Sequence, residues 1–304
     1  MKPTLRQLEY LVAIAETGRF SEAARRMNVS QPSLSAQVAD AEDHLGVTVF
    51  ERGRAGAILT PVGADIIRHA RDVLHRMDDL KSVAKHGEGR LYGRIRLGVL
   101  PTIGPYLLPL CSKDLHTRFP DLRLVIRDEA PIDLAQGLEE GRLDAVISTW
   151  EEHPGYQGVR LFQESLSIAI APDDPLADQE GSVDLADLAG RAFLTLGLGH
   201  RLTLLVQRLA EQAGAYISTD YQGTSLDAIR HMAALGGGVA VLPELYLTTE
   251  AARDDSLAFR RINHPEARRD IALIWRETSP VALRLPELAD QLSKAAKHIL
   301  NGAL

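Results

Sequence analysis

The sequence has 304 residues with a formal net charge of −7, and 45% of its residues are hydrophobic and 25% charged. The length predicts two or three domains, and the composition excludes a disordered chain or a fibrous repeat. A single cysteine, Cys111, excludes an internal disulfide and a cysteine-based zinc site. No apolar run predicts a membrane span or a signal peptide, so we expect a cytoplasmic protein without membrane contact.

The acidic charge is unevenly distributed. Residues 1–90 hold 13 Lys and Arg against 12 Asp and Glu, so the acidic excess lies in residues 91–304. Binding to nucleic acid depends on local clusters of basic residues rather than on the total charge. The net charge therefore does not exclude a nucleic-acid-binding domain at the N-terminal end.

Apolar residues at helical spacing predict two helices at the start of the chain. The first runs from Leu5 and ends at Gly18, which can adopt the left-handed conformation of a helix end. Ser21 is expected to cap a second, short helix that ends at Asn28. Paired alanines in this second helix allow a neighbouring helix to approach closely.

A third helix follows after a tight turn. Ser30 is expected to cap it, Pro32 lies in its first turn, and Gly46 ends it. Its predicted buried stripe consists of Leu34, Val38, Ala41 and Leu45. A short helix, a tight turn and an amphipathic helix form the pattern of a helix-turn-helix, whose second helix enters the major groove of DNA.

Small polar side chains surround the start of the third helix. Hydroxyl and amide groups can contact base edges, and a helix N-terminus attracts phosphate through its free N–H groups. The alternative interpretation is a polar face that only contacts solvent. The candidate DNA-binding residues in these helices are Ser21, Ser30, Gln31, Pro32, Ser33, Ser35 and Gln37.

Residues 47–60 predict two short strands around a glycine-rich tip. Such a hairpin after a helix-turn-helix is typical of a wing. Arg52 and Arg54 near the tip are further candidate DNA-binding residues, because guanidinium groups can contact a phosphate or enter the minor groove.

A long amphipathic helix is predicted next, with Thr60 as its cap and Pro61 at its first position. Apolar residues alternate at spacings of four and three, which is typical of a coiled-coil seam between two chains. A helix buried in a domain core also has such a stripe. The seam residues are Ile66, Ala70, Val73, Met77, Leu80 and Ala84, and residues 86–90 form the expected hinge.

Residues 8–12, 21–24, 29–37 and 45–52 closely resemble the DNA-binding domain of LysR-type transcriptional regulators. The resemblance implies a homodimer or homotetramer that binds double-stranded promoter DNA and, if it activates transcription, contacts RNA polymerase. It also implies a winged helix-turn-helix in residues 1–60, a linker and dimerisation helix with a hinge in 61–90, and an effector-binding domain in 91–304. The last domain is expected to resemble periplasmic binding proteins, with one lobe formed by residues 91–161 and 268–304 and the other by residues 162–267.

The C-terminal part alternates strand and helix patterns, which predicts an α/β fold with a mostly parallel sheet. Strands are expected at residues 95–99, 122–126, 144–147 and 166–170. The last strand pattern, residues 270–275, is expected to return to the first lobe.

Three loops at predicted strand ends carry candidate effector-binding residues, because ligands of open α/β folds gather at the carboxyl ends of strands. A small polar ligand such as a carboxylate would suit their hydroxyl groups. Each Ser or Thr could instead only cap a helix. The residues are Thr102, Ile103, Gly104, Ser148, Thr149, Thr224 and Ser225.

The C-terminal part also resembles the peroxide-sensing OxyR branch of the LysR family, notably at residues 98–109 and 197–200. At the position of that branch's peroxidatic cysteine this sequence has Arg201, and Ala210 replaces the resolving cysteine. A guanidinium group is permanently protonated and cannot reduce peroxide. Arg201 beside His200 could bind an anionic effector or form a structural salt bridge, and both residues are candidate effector-binding residues.

Other classes of function stay open at this point. A redox sensor could use Cys111 between subunits, although this residue is expected to be inert in the core. An enzyme lacks support, because the sequence has no nucleophile elbow, phosphate-binding loop or close metal-ligand spacing. A solute-binding protein of a transporter would need a signal peptide. We therefore expect a regulator without catalytic residues, metal or cofactor.

Overall fold

The structure, a computed structural model, describes residues 2–53, 56–86, 91–197, 199, 201–251 and 256–302. Near the N-terminus, three helices pack around one another: α1 (Leu5–Thr17), α2 (Phe20–Arg26) and α3 (Gln31–Leu45). The side chains buried between them include Leu11, Ile14, Leu34 and Val38. The sequence prediction of these helices is confirmed.

Hydrogen-bonded caps fix the ends of α1 and α3. Thr4 and Gln7 form a capping box at the start of α1, and Gly18 ends this helix with a φ of 68°. Ser30 caps α3 as predicted, because its hydroxyl accepts a hydrogen bond from the backbone N–H of Ser33. The first turn of α3 is therefore ordered without any partner molecule.

Two sequence predictions for these helices are wrong. Ser21 does not cap α2, since the helix already begins at Phe20 and Arg19 is its N-cap residue. The ring of Phe20 packs edge-on against Phe50, with 6.0 Å between ring centroids, so burial of an aromatic ring sets this helix start. Leu45, predicted in the buried stripe of α3, is 37% exposed because it lies at the end of the helix.

A hairpin of β1 (Phe50–Gly53) and β2 (Gly56–Leu59) follows, which confirms the predicted wing. It is tied to α1 by a hydrogen bond from the backbone N–H of Ala57 to the carbonyl of Gly18. Gly56 has a φ of 121°, and a Cβ atom there would lie 2.4 Å from the Gly18 carbonyl oxygen, so the close approach requires glycine. The tip, residues 54–55, lies outside the described residues.

The predicted long helix is α4 (Pro61–His86), and the hydroxyl of Thr60 caps it by accepting a hydrogen bond from the N–H of Gly63. Its apolar stripe has two environments. Ile67 and Ala70 are buried, and Ile67 belongs to the core around α1, whereas Val73 is 46% and Leu80 63% exposed. Within this chain, Val73 and Leu80 of the predicted seam are therefore left exposed, and Met77 is half-buried. The side chain of Ala84 and most of the predicted hinge, residues 87–90, lie outside the described residues.

The C-terminal unit, residues 91–302, begins with strands and helices in the predicted alternation. In chain order these are β3 (Gly93–Val99), α5 (Gly104–Arg118), β4 (Leu122–Asp128), α6 (Pro131–Glu139) and β5 (Ala145–Thr149). β3 pairs in parallel with both β4 and β5. Their carboxyl ends consequently meet at one edge of the sheet.

The second half of this unit repeats the alternation. Its strands are β6 (Gln157–Ile170), β7 (Ala192–Leu196), β8 (Tyr216–Gly223), β9 (Val239–Pro243), β10 (Ala258–Arg261) and β11 (Arg268–Trp275). Its helices are α7 (Arg201–Ala213), α8 (Leu226–Ala234), the short α9 (Glu244–Tyr246), which continues as a π-helical turn, and α10 (Leu285–Leu300).

These strands join one sheet in the order β4-β3-β5-β11-β6-β9-β7-β8, with β10 beside β6. The expectation of a mostly parallel sheet is wrong at its centre. β11 is antiparallel to β5 and β6, and β6 is antiparallel to β9 and β10, so parallel pairs are confined to the two ends. The reason is that the chain returns through β11 from the second parallel group to the first, as the sequence predicted for this strand. None of the described helices is both long enough and apolar enough to cross a membrane.

Candidate functional site

The start of α3 presents polar side chains to solvent. Gln31, Pro32, Ser33 and Gln37, here called the α3 surface, are all exposed, as is the capping residue Ser30. Ser35 is half-buried, and Ser21 is exposed on α2. Hydroxyl and amide groups thus surround the free N–H groups of a helix end. This arrangement can donate hydrogen bonds to phosphate oxygens and exchange hydrogen bonds with base edges.

A buried amide positions one member of this surface. Gln7 of α1 is only 1% exposed, and its Nε2 donates to the Oε1 of Gln37 at 3.3 Å and to the carboxylate of Asp40 at 2.7 Å. Asp40 also pairs with Lys2 at 3.0 Å. The sequence analysis missed Gln7, although a polar residue on the buried face of a predicted helix is a usable signal.

The wing is held against α3 through Glu42. Its Oε1 accepts hydrogen bonds from the backbone N–H groups of Val49 at 2.7 Å and Phe50 at 3.1 Å. The start of the hairpin is therefore fixed to the last turn of α3. Of the two wing arginines, Arg52 lies in β1, but its side chain and the whole of Arg54 are outside the described residues.

A cavity of about 400 Å³ lies between the start of α7, the start of β11 and the end of β5, and is here called the cleft cavity. The residues that matter for its charge are Arg201, Arg208, Arg268, Arg269, Glu151, Glu266 and Asp270. Two of the predicted effector residues, Thr149 and Arg201, line it together. Arg208 was missed by the sequence analysis, although it lies seven residues, about two helical turns, after Arg201.

Three of these arginines have no ion-pair partner among the residues that the structure describes. Among the described residues, no carboxylate oxygen lies within 4.0 Å of the guanidinium groups of Arg201, Arg208 or Arg268. Asp270 is paired at 2.5 Å with Arg160. Guanidinium groups without counter-charges on the wall of a cavity favour an anionic ligand.

Thr102 is buried, and its hydroxyl group is already engaged in a hydrogen bond within the chain. It is 4% exposed, its hydroxyl accepts a hydrogen bond from Arg269 Nη1 at 2.9 Å, and its carbonyl accepts one from Nη2 at 3.2 Å. The Nε of Arg269 donates to Glu164 at 2.7 Å, and the other oxygen of Glu164 accepts from the N–H of Leu245. Because Arg269 also lines the cleft cavity, this buried chain links Thr102 and the start of α9 to the cavity wall.

The remaining predicted residues have local roles or lie apart. Ser148 and Thr149 are buried and donate hydrogen bonds to Glu152 at 2.8 and 2.5 Å. Ser225 caps α8 by accepting from the N–H of Ala228, and neither it nor Thr224 lines the cleft cavity.

The loop after β3 is closely packed. Ile103 is fully buried, and a Cβ atom at Gly104 would lie 2.4 Å from the carboxylate of Asp128. Close packing therefore accounts for glycine at this position, and no contact with a ligand is needed to explain it. His200 lies outside the described residues.

Cys111 is buried in α5, and burial raises the pKa of its thiol to about 11. The thiol is therefore protonated at neutral pH and a poor nucleophile. We expect iodoacetamide at pH 7.5 to label Cys111 slowly in the folded protein and completely after unfolding in urea, as measured by mass spectrometry over time. Equal labelling rates in the two states would contradict this assignment.

Comparison with protein-family models covers both units of the chain. Residues 5–64 match the model described as bacterial regulatory helix-turn-helix protein, lysR family. Residues 88–297 match the model described as LysR substrate binding domain.

Individual relatives are similar over almost the whole chain. A hydrogen peroxide-inducible genes activator of Pectobacterium carotovorum subsp. carotovorum is 38% identical over 289 residues, which cover 95% of each chain. The DNA-binding transcriptional dual regulator OxyR of Escherichia coli K12 is also 38% identical, over 95% of this chain and 94% of its own. Among solved structures, a cysteine-to-aspartate variant of full-length OxyR from Pseudomonas aeruginosa has a TM-score of 0.75 and 32% identity, covering 95% of this chain and 97% of that one.

Proposed function

The chain belongs to the LysR family of DNA-binding transcriptional regulators, which are not enzymes, and from this premise we propose which of its residues bind DNA and effector. The α3 surface binds promoter DNA in the major groove. The cleft cavity binds a small anionic effector. Effector binding changes the arrangement of the subunits and thereby transcription.

The exposed, capped start of α3 supports the DNA-binding part of this proposal. Gln31 and Gln37 can form paired hydrogen bonds with adenine, and Ser33 can bind a base edge or a phosphate. Pro32 of the same surface, together with Ser21, Ser30 and Ser35, completes the set of proposed DNA-binding residues in these helices, and of these four only Ser35 is half-buried. Arg52 and Arg54 of the wing would contact phosphates or the minor groove beside it.

We divide the chain into a winged helix-turn-helix in residues 1–60, a linker and hinge in residues 61–90, and an effector-binding domain in residues 91–304. Its lobes are residues 91–161 with 268–304, and residues 162–267. The uncovered apolar residues Val73 and Leu80 support dimerisation through α4. Two such dimers would make a homotetramer, which reads paired half-sites and contacts RNA polymerase if it activates. Since its target is chromosomal DNA, we place the protein in the cytoplasm.

Three unpartnered arginines in the cleft cavity are the observation that carries the effector proposal. Arg201, Arg208 and Arg268 can bind a carboxylate or phosphate through paired N–H donors. Arg269 would transmit the ligand's presence, because it holds Thr102 and Glu164 while lining the same cavity. A ligand that binds one arrangement more tightly shifts the population towards it.

Peroxide is the inducer in the names of several relatives, but we do not propose it for this chain. Arg201 and Ala210 stand where the OxyR branch has its reactive cysteines. The remaining thiol, Cys111, is buried in α5. The comparison thus supports a regulatory function, and we propose that the inducer is an anion bound in the cleft cavity.

We expect Arg201→Ala to weaken binding of the effector about tenfold or more, because one charge-assisted contact is lost. The measurement is the melting temperature in a panel of acetate, succinate and citrate at constant ionic strength. A ligand of the folded state raises this temperature in a saturable way. Arg123→Ala, an exposed residue of β4 outside the cavity, is the control and should change nothing. Unchanged affinity in Arg201→Ala would remove the cleft cavity as the effector site.

A further inference from the structure

The linker helix α4 is docked onto the C-terminal unit by polar contacts. The Nη1 of Arg71 donates to the carbonyl of Glu140 at 2.8 Å. The next residue of α4, Asp72, pairs with Arg276 at 3.0 Å. The two units therefore meet at a defined junction rather than through a free tether.

A second cavity, of about 200 Å³, lies at this junction between α1, α4 and β3. All three parts of the chain contribute charged groups to it, and we call it the junction cavity. The ionisable groups that line it are Glu16 and Arg26 from the N-terminal unit, Arg71, His75 and Asp78 from the linker helix, and Arg94 and Arg96 from β3, so that four arginines face two carboxylates. It is separate from the cleft cavity, since the two have no lining residue in common.

The charges on its wall do not balance locally. Arg26 is paired with Glu16 at 2.6 Å, and Arg96 with the buried Asp144 at 2.5 Å. No carboxylate oxygen of the described residues lies within 4.0 Å of Arg71 or Arg94. Two guanidinium groups on this wall are thus without a direct counter-charge.

Of these two arginines, Arg71 and Arg94, only Arg71 is buried. Its residue exposure is 7%, and its Nε is buried with no hydrogen-bond partner among the described residues. Burial also lowers the pKa of its guanidinium group, and the nearby carboxylates of Glu16 and Glu140 act in the opposite direction. A buried charged group is stable only when it is paired, so a nearby anion would remove much of this cost.

We propose that the junction cavity is a second anion site, which binds a small oxyanion between Arg71 and Arg94. A guanidinium fork matches the oxygen spacing of phosphate, sulfate and carboxylate groups. At about 30 Å³ for each water-sized group, the volume has room for about six such groups, so it suits a small oxyanion rather than a nucleotide.

The position of the site gives the anion a regulatory consequence. Arg26 and Glu16 belong to the DNA-binding unit, Arg71 to the linker and Arg94 to the effector domain. An anion held among them favours the arrangement in which the three are docked. By linkage it would then alter the response of DNA binding to an effector in the cleft cavity.

The test uses the full-length protein and inorganic phosphate, exchanged against chloride at constant ionic strength, with the melting temperature as the readout. We expect saturable stabilisation in the wild type and about tenfold weaker phosphate binding in Arg94→Gln. Arg94 is exposed, so this variant should fold even if Arg71→Gln does not. The matched control is Arg123→Gln, whose residue lies opposite Arg94 in the β3–β4 ladder but outside the cavity.

The Arg201→Ala variant separates this site from the cleft cavity, and it should retain the phosphate response. Loss of the response in Arg201→Ala together with its survival in Arg94→Gln would assign phosphate to the cleft cavity and overturn the proposal. A rise that never saturates and is equal in all variants would reflect salt exclusion from the protein surface and would also overturn it. If phosphate does not raise the melting temperature of the wild type at all, the proposal is likewise overturned.

Discussion

Ser33→Glu should abolish specific DNA binding while leaving the protein as stable as the wild type. Ser33 is exposed at the third helical position of α3, where glutamate completes a capping box with Ser30 and helps the helix. On the DNA the same carboxylate would face phosphates and acceptor-rich base edges. We expect affinity to fall about 100-fold, which corresponds to about 2.7 kcal/mol, in fluorescence anisotropy at fixed salt.

The matched control is Ala39→Glu, which adds the same charge to an exposed position of the same helix, six residues further from its N-terminus. We expect only a small loss of affinity there. Equal losses in both variants would mean that general repulsion, and not the α3 surface, accounts for the effect. Melting temperatures of both proteins show whether each is folded.

Glu164→Ala should destabilise the effector domain by about 3–5 kcal/mol, because it leaves Arg269 as a buried charge without its partner. The side chains of this pair are 0% and 5% exposed, and the pair also supports Thr102 and the N–H of Leu245. Loss of the carboxylate therefore disturbs contacts of β11, of the loop after β3 and of α9 at once. The measurement is the free energy of unfolding in urea.

An exposed ion pair provides the comparison. Asp290 and Lys294 of α10 lie 2.6 Å apart, and both side chains are more than half exposed. Asp290→Ala should cost no more than about 0.5 kcal/mol, since water and salt screen such pairs. An equally small loss in the free energy of unfolding for Glu164→Ala would contradict a stabilising role of this buried chain.

Much of the N-terminal unit could be predicted because its signals are local. Ser30, Gly18 and Gly46 mark helix ends through their own backbone chemistry, and the structure places all three at those ends. The start of α2 could not be predicted in the same way. It depends on the ring of Phe20 meeting Phe50, thirty residues away, and no local pattern records that contact.

The cleft cavity was predictable in part. Arg201 stood out because it replaces a cysteine in the resemblance to the OxyR branch, and Thr149 because it follows a strand. Arg268 and Arg269 join them only through β11, which returns from the far end of the chain to pair with β5. The same antiparallel return made the sheet less parallel than expected.

Polar residues at buried positions were the neglected signal. Glu164 is buried in β6 between Gln163 and Ser165, and Gln7 lies on the buried face of α1. Buried polar groups require partners, so each of them indicates a long-range hydrogen bond. The partners themselves, Arg269 and Gln37, become evident only in the folded chain.

The most direct test of the whole account is a footprint of the full-length protein on the DNA upstream of its own gene, beside the Ser33→Glu variant. The wild type should protect two half-sites whose centres are separated by a multiple of about 34 Å, one turn of the double helix. Ser33→Glu should protect neither at the same concentration. Identical protection by the two proteins, or no sequence preference by the wild type, would contradict DNA recognition through the start of α3.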